Sequence, residues 1–425
     1  MSQQNKNVIK SIIVASSGNL VEWFDFYIYA FTAVYFANEF FPKSNATVQL
    51  LNVAAIYAIG FFMRPVGGWY FGRLADRHGR RHALVVSVSM MCLGSLIVAC
   101  VPTYNSVGSL APIILLCARL IQGFSVGGEY GTTATYMSEV ALSKQRGFLA
   151  SFQYVTLIGG QLLAVLTIVI LEMMFTEVAL KTWAWRIPFV IGALTAIGSL
   201  KLRQSMVETS TDRSRNHPNA GSLQILFRDH KKAFFVVLGF TAGGSLSFYT
   251  FTTYMQKYLV NTVHFPIRTA SSIMMAALIV YVIFQPLFGA LSDRIGYRQN
   301  MIYFGALGAV FTYPIMKLLS EISNPYVAFL LIILCLGIIS FYTSIAGVVK
   351  AQLFPKELRA LGVGLSYALA NSLFGGTAEF VALYLKNIHL QSYFYGYVAL
   401  MLLLSFFISL YYLPKDDFYL AQDKS

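Results

Sequence analysis

The sequence predicts an all-α polytopic membrane protein, with twelve transmembrane helices in two six-helix parallel repeats. Three observations predict it. Of 425 residues, 57% are hydrophobic and 12% charged, about half the charge of an ordinary soluble domain, and the mean hydropathy is +0.63. Twelve apolar runs are long enough to cross a bilayer, which takes ~20 residues. A polar motif after the second run recurs after the eighth. No soluble fold of this size hides that much apolar surface, so a soluble enzyme, a nucleic-acid binder and a disordered chain are excluded. An outer-membrane barrel would alternate polar and apolar residues, and these runs do not.

The first run, 11–40, is interrupted by Glu22 and Asp25, so it is no cleavable signal peptide. The others follow at 49–75, 82–102, 110–138, 146–174, 184–203, 232–261, 269–292, 299–319, 325–353, 359–385 and 391–413. Several are long enough to tilt. The longest polar stretch, 204–231, is rich in Ser, Arg, Asn and Asp and holds Pro218 and Gly221. It reads as a cytoplasmic linker between an N-terminal half (1–203) and a C-terminal half with a short tail (232–425). The four cysteines lie inside apolar runs with no CxxC and no metal spacing, and read as packing residues.

The net charge of +13 follows topology rather than nucleic acid. With the N-terminus inside, 21 of the 31 lysines and arginines fall in cytoplasmic segments and six outside, a strong positive-inside bias. Both termini then face the cytoplasm. Gly72-Arg-Leu-Ala-Asp76-Arg77-His-Gly79-Arg80-Arg81 returns as Gly289-Ala-Leu-Ser-Asp293-Arg294-Ile-Gly296-Tyr-Arg298, offset by 217 residues. Arg146 after the fourth run is echoed by Arg359 after the tenth. Two halves of like orientation are the parallel-repeat design of a class of transporters.

The GxxxDRxGRR loop is the signature of the major facilitator superfamily, and the sequence resembles its metabolite:proton symporter family. GNLVEWFDFY (18–27), FMRPVGGWYFGRLADRHGRR (62–81), RLIQGFSVGGEYG (119–131) and WRIPF (185–189) carry that resemblance. Within the family, 125–141, 150–164, 238–262 and 359–379 are similar to members that carry a small dicarboxylate. The resemblance runs from about 10 to 413 and implies a bacterial inner-membrane protein.

Ionisable groups inside a span are costly and therefore functional candidates. Asp25 lies ~22 Å into the first helix and Arg119 ~15 Å into the fourth, both near mid-membrane at 1.5 Å per residue. Glu22 is one turn from Asp25 on a similar face. Arg64 is mid-helix in the second span and Glu129 ten residues inward from Arg119. Aligning Phe26-Tyr27 with Phe248-Tyr249 puts Ser247 opposite Asp25 and Gly244 opposite Glu22, which assigns proton chemistry to the first half. A carboxylate that titrates usefully is desolvated or tuned by a movable cation. Asp25 with Arg119 fits, with Glu22 and Glu129 as further coupling candidates; the bland alternative is a fixed ion pair. Related sugar–proton symporters of the superfamily use an aspartate in helix 1 and an arginine in helix 4 in that way.

For the substrate, cations and hydroxyl donors suit a dicarboxylate. The candidates are Arg64, which belongs to the family pattern, Tyr249, Tyr254 and Lys257 on helix 7, and Gln153, Tyr154 and Gln161 on helix 5. Snorkelling is the competing reading for Lys257 and the preferred one for Lys350. The signature loop reads as a cytoplasmic gate of Gly72, Asp76, Arg77, Gly79, Arg80 and Glu139, echoed by Asp293 and Arg298. Asp76 accepts from a helix N-terminus, Arg80 reaches Glu139, and such links break for inward opening. The histidines take no role. GxGxxG, phosphate-loop and HExxH patterns are absent, so no enzyme activity, cofactor or metal is expected.

The expectation is a monomeric secondary transporter in membrane lipid that carries a small dicarboxylate, 2-oxoglutarate first, with protons. A relative carrying proline, betaine, citrate or shikimate is the alternative. The 11 residues after Pro414 argue against the osmosensing type, which has a long charged C-terminal extension. An uncoupled channel or receptor is the third reading, disfavoured by the intramembrane carboxylates.

Overall fold

A computed structural model of the chain describes residues 3–42, 46–140, 145–204, 208, 217–218 and 220–414. It is helical nearly throughout, with no strand among the described residues. The twelve long helices are α1 (Gln3–Phe40), α2 (Ala46–Phe62 and Arg64–His78), α3 (Arg80–Cys100), α4 (Leu110–Val140), α5 (Arg146–Ala150 and Phe152–Met174), α6 (Ile187–Gln204), α7 (Lys231–Asn261), α8 (Ile267–Ile295), α9 (Tyr297–Glu321), α10 (Pro325–Thr343 and Ala346–Ala351), α11 (Arg359–Asn387) and α12 (Gln391–Tyr412). Ten of the described helices are long and apolar enough to cross a membrane. The other two are α1, which carries Glu22 and Asp25, and α6, which ends on Lys201 and Arg203.

The repeat governs packing. α1 packs on α5 and α6, α3 on α4 and α6, and α2 on α4; α7 packs on α11 and α12, α9 on α10 and α12, and α8 on α10. Adding six to each label of the first set gives the second. Between halves, α2 meets α11 and α5 meets α8, a pair related by the same rule. This is the contact set of a pseudo-twofold axis along the membrane normal. The repeated motif makes the same turn twice: Gly79 has φ +105° and Gly296 φ +92°, a region where a side chain is strained. The face carrying these two turns is called the motif face below.

Several helices are interrupted where the runs predicted continuity. α2 breaks at Met63, because Pro65 in the next turn lacks an N–H and its ring disrupts the ladder. α7 and α11 each contain a π turn, Thr250–Tyr254 and Asn371–Gly375. α10 breaks at Ser344 and Ile345. Such interruptions gather at functional sites; here they ring the centre of the bundle.

Of the linker, Glu208 accepts from the N–H groups of Arg80 and Arg81 (3.0 and 3.1 Å), which caps α3. Arg77 donates to the Ala220 carbonyl (3.1 Å). Linker residues 205–207, 209–216 and 219, and tail residues 415–425, lie outside the described residues. So do Lys43, Lys144, Arg213, Arg215, Lys415 and Lys424, which the charge count uses.

Candidate functional site

Three buried cations near the centre, Arg64, Lys350 and Arg119, have no carboxylate partner among the described residues; Arg119 donates to Gln122, and the other two face each other across a group of tyrosines. Arg64 sits at the proline-made break of α2. Its guanidinium lies 3.6 Å from the Phe61 ring centre, 4.3 Å from Phe26 and 5.6 Å from Trp23, and donates to the Tyr249 hydroxyl (3.3 Å). Its Nε and second terminal nitrogen are unpartnered. The ring faces offset part of the charge, and the free edge is a fork for a carboxylate.

The second cation is Lys350. Its ammonium donates to the hydroxyls of Tyr130 (2.7 Å) and Tyr342 (3.0 Å) and lies 4.6 Å from the ring centres of Tyr130 and Tyr367. The snorkelling expectation for Lys350 is therefore corrected. Side chains lean toward the N-terminus of their helix. α10 ends at the motif face, so a lysine in its last turns points back into the membrane. Tyr130 and Tyr367 stack at 3.4 Å, Asn371 donates to Tyr367 (3.0 Å), and Gly375 leaves room for Tyr249 and Asn371. The tyrosines around the two cations thus come from α4, α7, α10 and α11.

The carboxylates lie in the first half. Asp25, wholly buried, accepts from Ser95 of α3, which accepts from Gln122 of α4 (2.9 Å), which in turn accepts from Arg119 (2.7 Å). Asp25 and Arg119 therefore do not pair directly, as the sequence reading had them do; a two-residue relay joins them. Arg119 is held instead by the rings of Tyr29 (4.3 Å), Phe26 (4.7 Å) and Tyr57 (5.1 Å). A side chain at Gly192 of α6 would collide with the Asp25 carboxylate. Glu22 and Glu129 meet at Arg203: both approach the same terminal nitrogen, Glu22 at 3.4 Å and Glu129 more closely. Arg203, counted from sequence as a cytoplasmic loop cation, is buried for the same reason as Lys350, since it ends α6 and leans back.

The remaining candidates divide. Lys257 pairs with Glu379 of α11 (2.8 Å) and donates to the Ala30 carbonyl of α1 (3.1 Å). It is a strut between halves rather than an open cation. Tyr254 packs on Tyr258 and Phe394, away from the cage. Gln161 donates to Thr253 (3.2 Å), Gln153 to the Tyr130 carbonyl (3.4 Å), and Tyr154 packs edge-on to Tyr130 and Phe248. A second strut, absent from the sequence reading, joins Glu172 of α5 to Tyr35 (2.5 Å) and Ser271 (3.5 Å), with Arg268 on its carbonyl.

At the motif face Asp76 pairs with Arg80 (2.6 Å) and accepts from the Leu361 N–H at the start of α11 (3.1 Å). Glu139 sits between Arg80 (3.7 Å) and Arg359 (3.4 Å), and Gly72 lies against Leu361. The pseudo-symmetric contact has Asp293 accepting from the N–H groups of Gly147 (2.7 Å) and Phe148 (2.9 Å) at the start of α5. There Tyr297 replaces Arg80 and donates to Asp293 (3.3 Å). Arg298 is outside this contact and donates to the Leu410 carbonyl (2.6 Å), while Arg77 holds the linker. No group of three His, Cys, Asp or Glu among the described residues has metal-holding geometry.

The description "Sugar (and other) transporter" matches residues 11–208 and "Major Facilitator Superfamily" matches 245–425. The alpha-ketoglutarate permease of Escherichia coli (strain K12) is 57% identical over 96% of this chain and 94% of its own. The glycine betaine/proline/ectoine/pipecolic acid transporter of Dickeya dadantii (strain 3937) is 29% identical over 93% of this chain and 82% of its own. Among solved structures, the E. coli xylose transporter in a partially occluded inward-open conformation is similar in fold, with a TM-score of 0.75 at 18% identity, over 96% of this chain and 98% of that one.

Proposed function

We propose, since the chain belongs to the major facilitator superfamily, that it is a monomeric, multi-pass inner-membrane symporter. It carries a small dicarboxylate, 2-oxoglutarate first, into a bacterial cell with protons. The observation that carries this reading is the pair of unneutralised cations, Arg64 in the N-terminal half and Lys350 in the C-terminal half, facing a tyrosine-lined centre. A dianion offers one carboxylate to each of these two cations. The 57% identity to an alpha-ketoglutarate permease supports the same substrate class. A zwitterion such as betaine would ask for an anion in the cage, and the nearby Glu379 is committed to Lys257.

The division at the linker, 1–203 and 232–425, gives the moving bodies. The motif face is cytoplasmic by its lysines and arginines, which puts both termini inside, and apolar side chains exposed around the bundle, such as Leu194, Val310 and Leu400, meet lipid. Asp76–Leu361 and Asp293–Gly147 open to release substrate inward; the Lys257–Ala30 contact and the Glu172 strut open to admit it. Carboxylates bound to Arg64 and Lys350 tie the halves together only when substrate is present, which favours the closed state between these two openings.

Radiolabelled uptake into proteoliposomes under an imposed pH gradient tests this. Accumulation of 2-oxoglutarate, inhibited by other dicarboxylates and not by proline or betaine, is expected. Accumulation of proline or betaine that 2-oxoglutarate does not inhibit would overturn it.

A further inference from the structure

We infer that Glu22 and Glu129 share one transported proton at Arg203, forming a second coupling site separate from Asp25. This rests on the proton-symport reading above.

Both carboxylates converge on one terminal nitrogen of Arg203. Glu22 also accepts from Ser87 of α3 (3.4 Å), and Glu129 from Thr133 of its own helix (3.1 Å). All three ionisable groups are at most 3% exposed. Ionised throughout, the cluster would bury two anions against one cation. An uncompensated charge in a membrane interior costs several kcal/mol, and one proton removes it. Glu129 also keeps an oxygen with no hydrogen-bond partner, a place where a carboxylic acid O–H resides without displacing a bond.

Among the described residues, nothing else around the cluster balances the charge. α3 faces the cluster with the Ser87 hydroxyl, and α5 faces this part of α1 with Thr156 and the Gln153 carbonyl, both bonded to Asn19. The next ionisable group on α1 is Asp25, one turn away and tied to Ser95. α6 touches both sites, through Gly192 at Asp25 and Arg203 at the glutamates. Movement of α6 would therefore change both in one step. In the transport step a hydronium donates a proton to a glutamate oxygen on one side, and water accepts it on the other.

Two such sites balance the substrate. Asp25 and the glutamate pair each take up one proton as a dianion settles on Arg64 and Lys350. The core then carries the same formal charge loaded and empty.

The test is the proton-to-substrate ratio, obtained from reversal potentials of the purified full-length protein in proteoliposomes with 2-oxoglutarate. Glu129→Gln and Glu22→Gln each leave one carboxylate for one arginine, so each lowers the ratio by one while counterflow continues. Glu22→Asp keeps the ratio. An unchanged ratio in either glutamine variant makes the cluster structural and overturns the inference. So does loss of counterflow in both variants when both still bind substrate. An unaltered protein that couples no proton overturns the symport reading itself, a different result. Should one glutamine variant misfold, the other decides alone.

Discussion

The two halves use one set of helix contacts for different chemistry. Glu22 on α1 meets Glu129 on α4 through Arg203. At the corresponding place in the second half stands Gly244 on α7, whose missing side chain is filled by the ring of Tyr342 on α10. In the register that pairs Arg146 with Arg359, Tyr342 corresponds to Glu129. The same contact is ionic in one half and aromatic in the other. Asp25 likewise becomes Ser247, which bonds the Gly243 and Gly244 carbonyls of its own helix. The repeat supplies a symmetric mechanical frame, and its broken symmetry supplies the chemistry: protons in the first half, a tyrosine-held lysine in the second, and Arg64 reaching across to Tyr249.

Asp25→Asn attacks the first side of that contrast and has the largest expected effect. The proton-to-substrate ratio falls by one, and concentrative uptake falls steeply with it, while counterflow persists. An unchanged ratio in this variant would move that proton elsewhere. The substrate cations come next. Arg64→Gln and Lys350→Gln each remove a charged hydrogen bond of about 1.5–3 kcal/mol, so dicarboxylate binding weakens by roughly 10- to 150-fold, as read by calorimetry. Equal effects sharpen the picture of one carboxylate per half. An unaffected Lys350→Gln would return recognition to the first half alone.

The motif face offers a smaller and more graded comparison. One interface is charged, Asp76–Arg80–Glu139–Arg359, and its partner has Tyr297 in place of Arg80 and Gln352 in place of Glu139. Arg80→Ala leaves the buried Asp76 carboxylate without its cation, which costs about 3–5 kcal/mol, while Glu139 keeps Arg359. It shifts accessibility labelling at the cytoplasmic ends of α2 and α11 by tenfold or more. Tyr297→Phe loses one hydrogen bond of about 1 kcal/mol and changes labelling around α5 and α8 by about fivefold. Equal shifts would mean the charges contribute nothing to gating.

The smallest effect belongs to an exposed pair. On the short helix Glu177–Thr182 after α5, a hydrogen bond from Lys181 and its charge hold the Glu177 carboxyl below its ordinary range. A lowered carboxylate adds stability above its ordinary pKa and loses it as pH falls through the lowered value. At this exposure the contribution is screened. Glu177→Gln should change Tm by less than about 1 °C at pH 7, with the difference shrinking as pH falls below the ordinary carboxylate range.

Much of this was legible in the sequence. The spans followed from apolar runs, and the repeat from the Gly72 and Gly289 motifs. Asp76 and Asp293 at helix N-termini, and Arg80 near Glu139, followed from residue type and spacing. What failed was direction. Arg203 and Lys350 looked like interface cations because position along the helix was read without the lean of the side chain toward the helix N-terminus. Lys257 and Tyr254 looked like ligands because pairing with Glu379 and packing on Phe394 are long-range facts. Ser95 and Gln122, neutral and unremarkable in an apolar run, gave no signal at all. The π turns of α7 and α11 likewise follow from tertiary packing rather than from local composition.

The central claim is that two protons in the first half accompany one dianion held between the halves. Membrane potential acts at about 2.3 kcal/mol per charge per 100 mV, so the ratio can be read directly. Unaltered protein in proteoliposomes, with fixed pH and 2-oxoglutarate gradients, is brought to the voltage at which net flux vanishes. The account predicts at least two protons per dianion, with uptake rising as external pH falls from about 7.5 to 6. A ratio of one proton per dianion would contradict it.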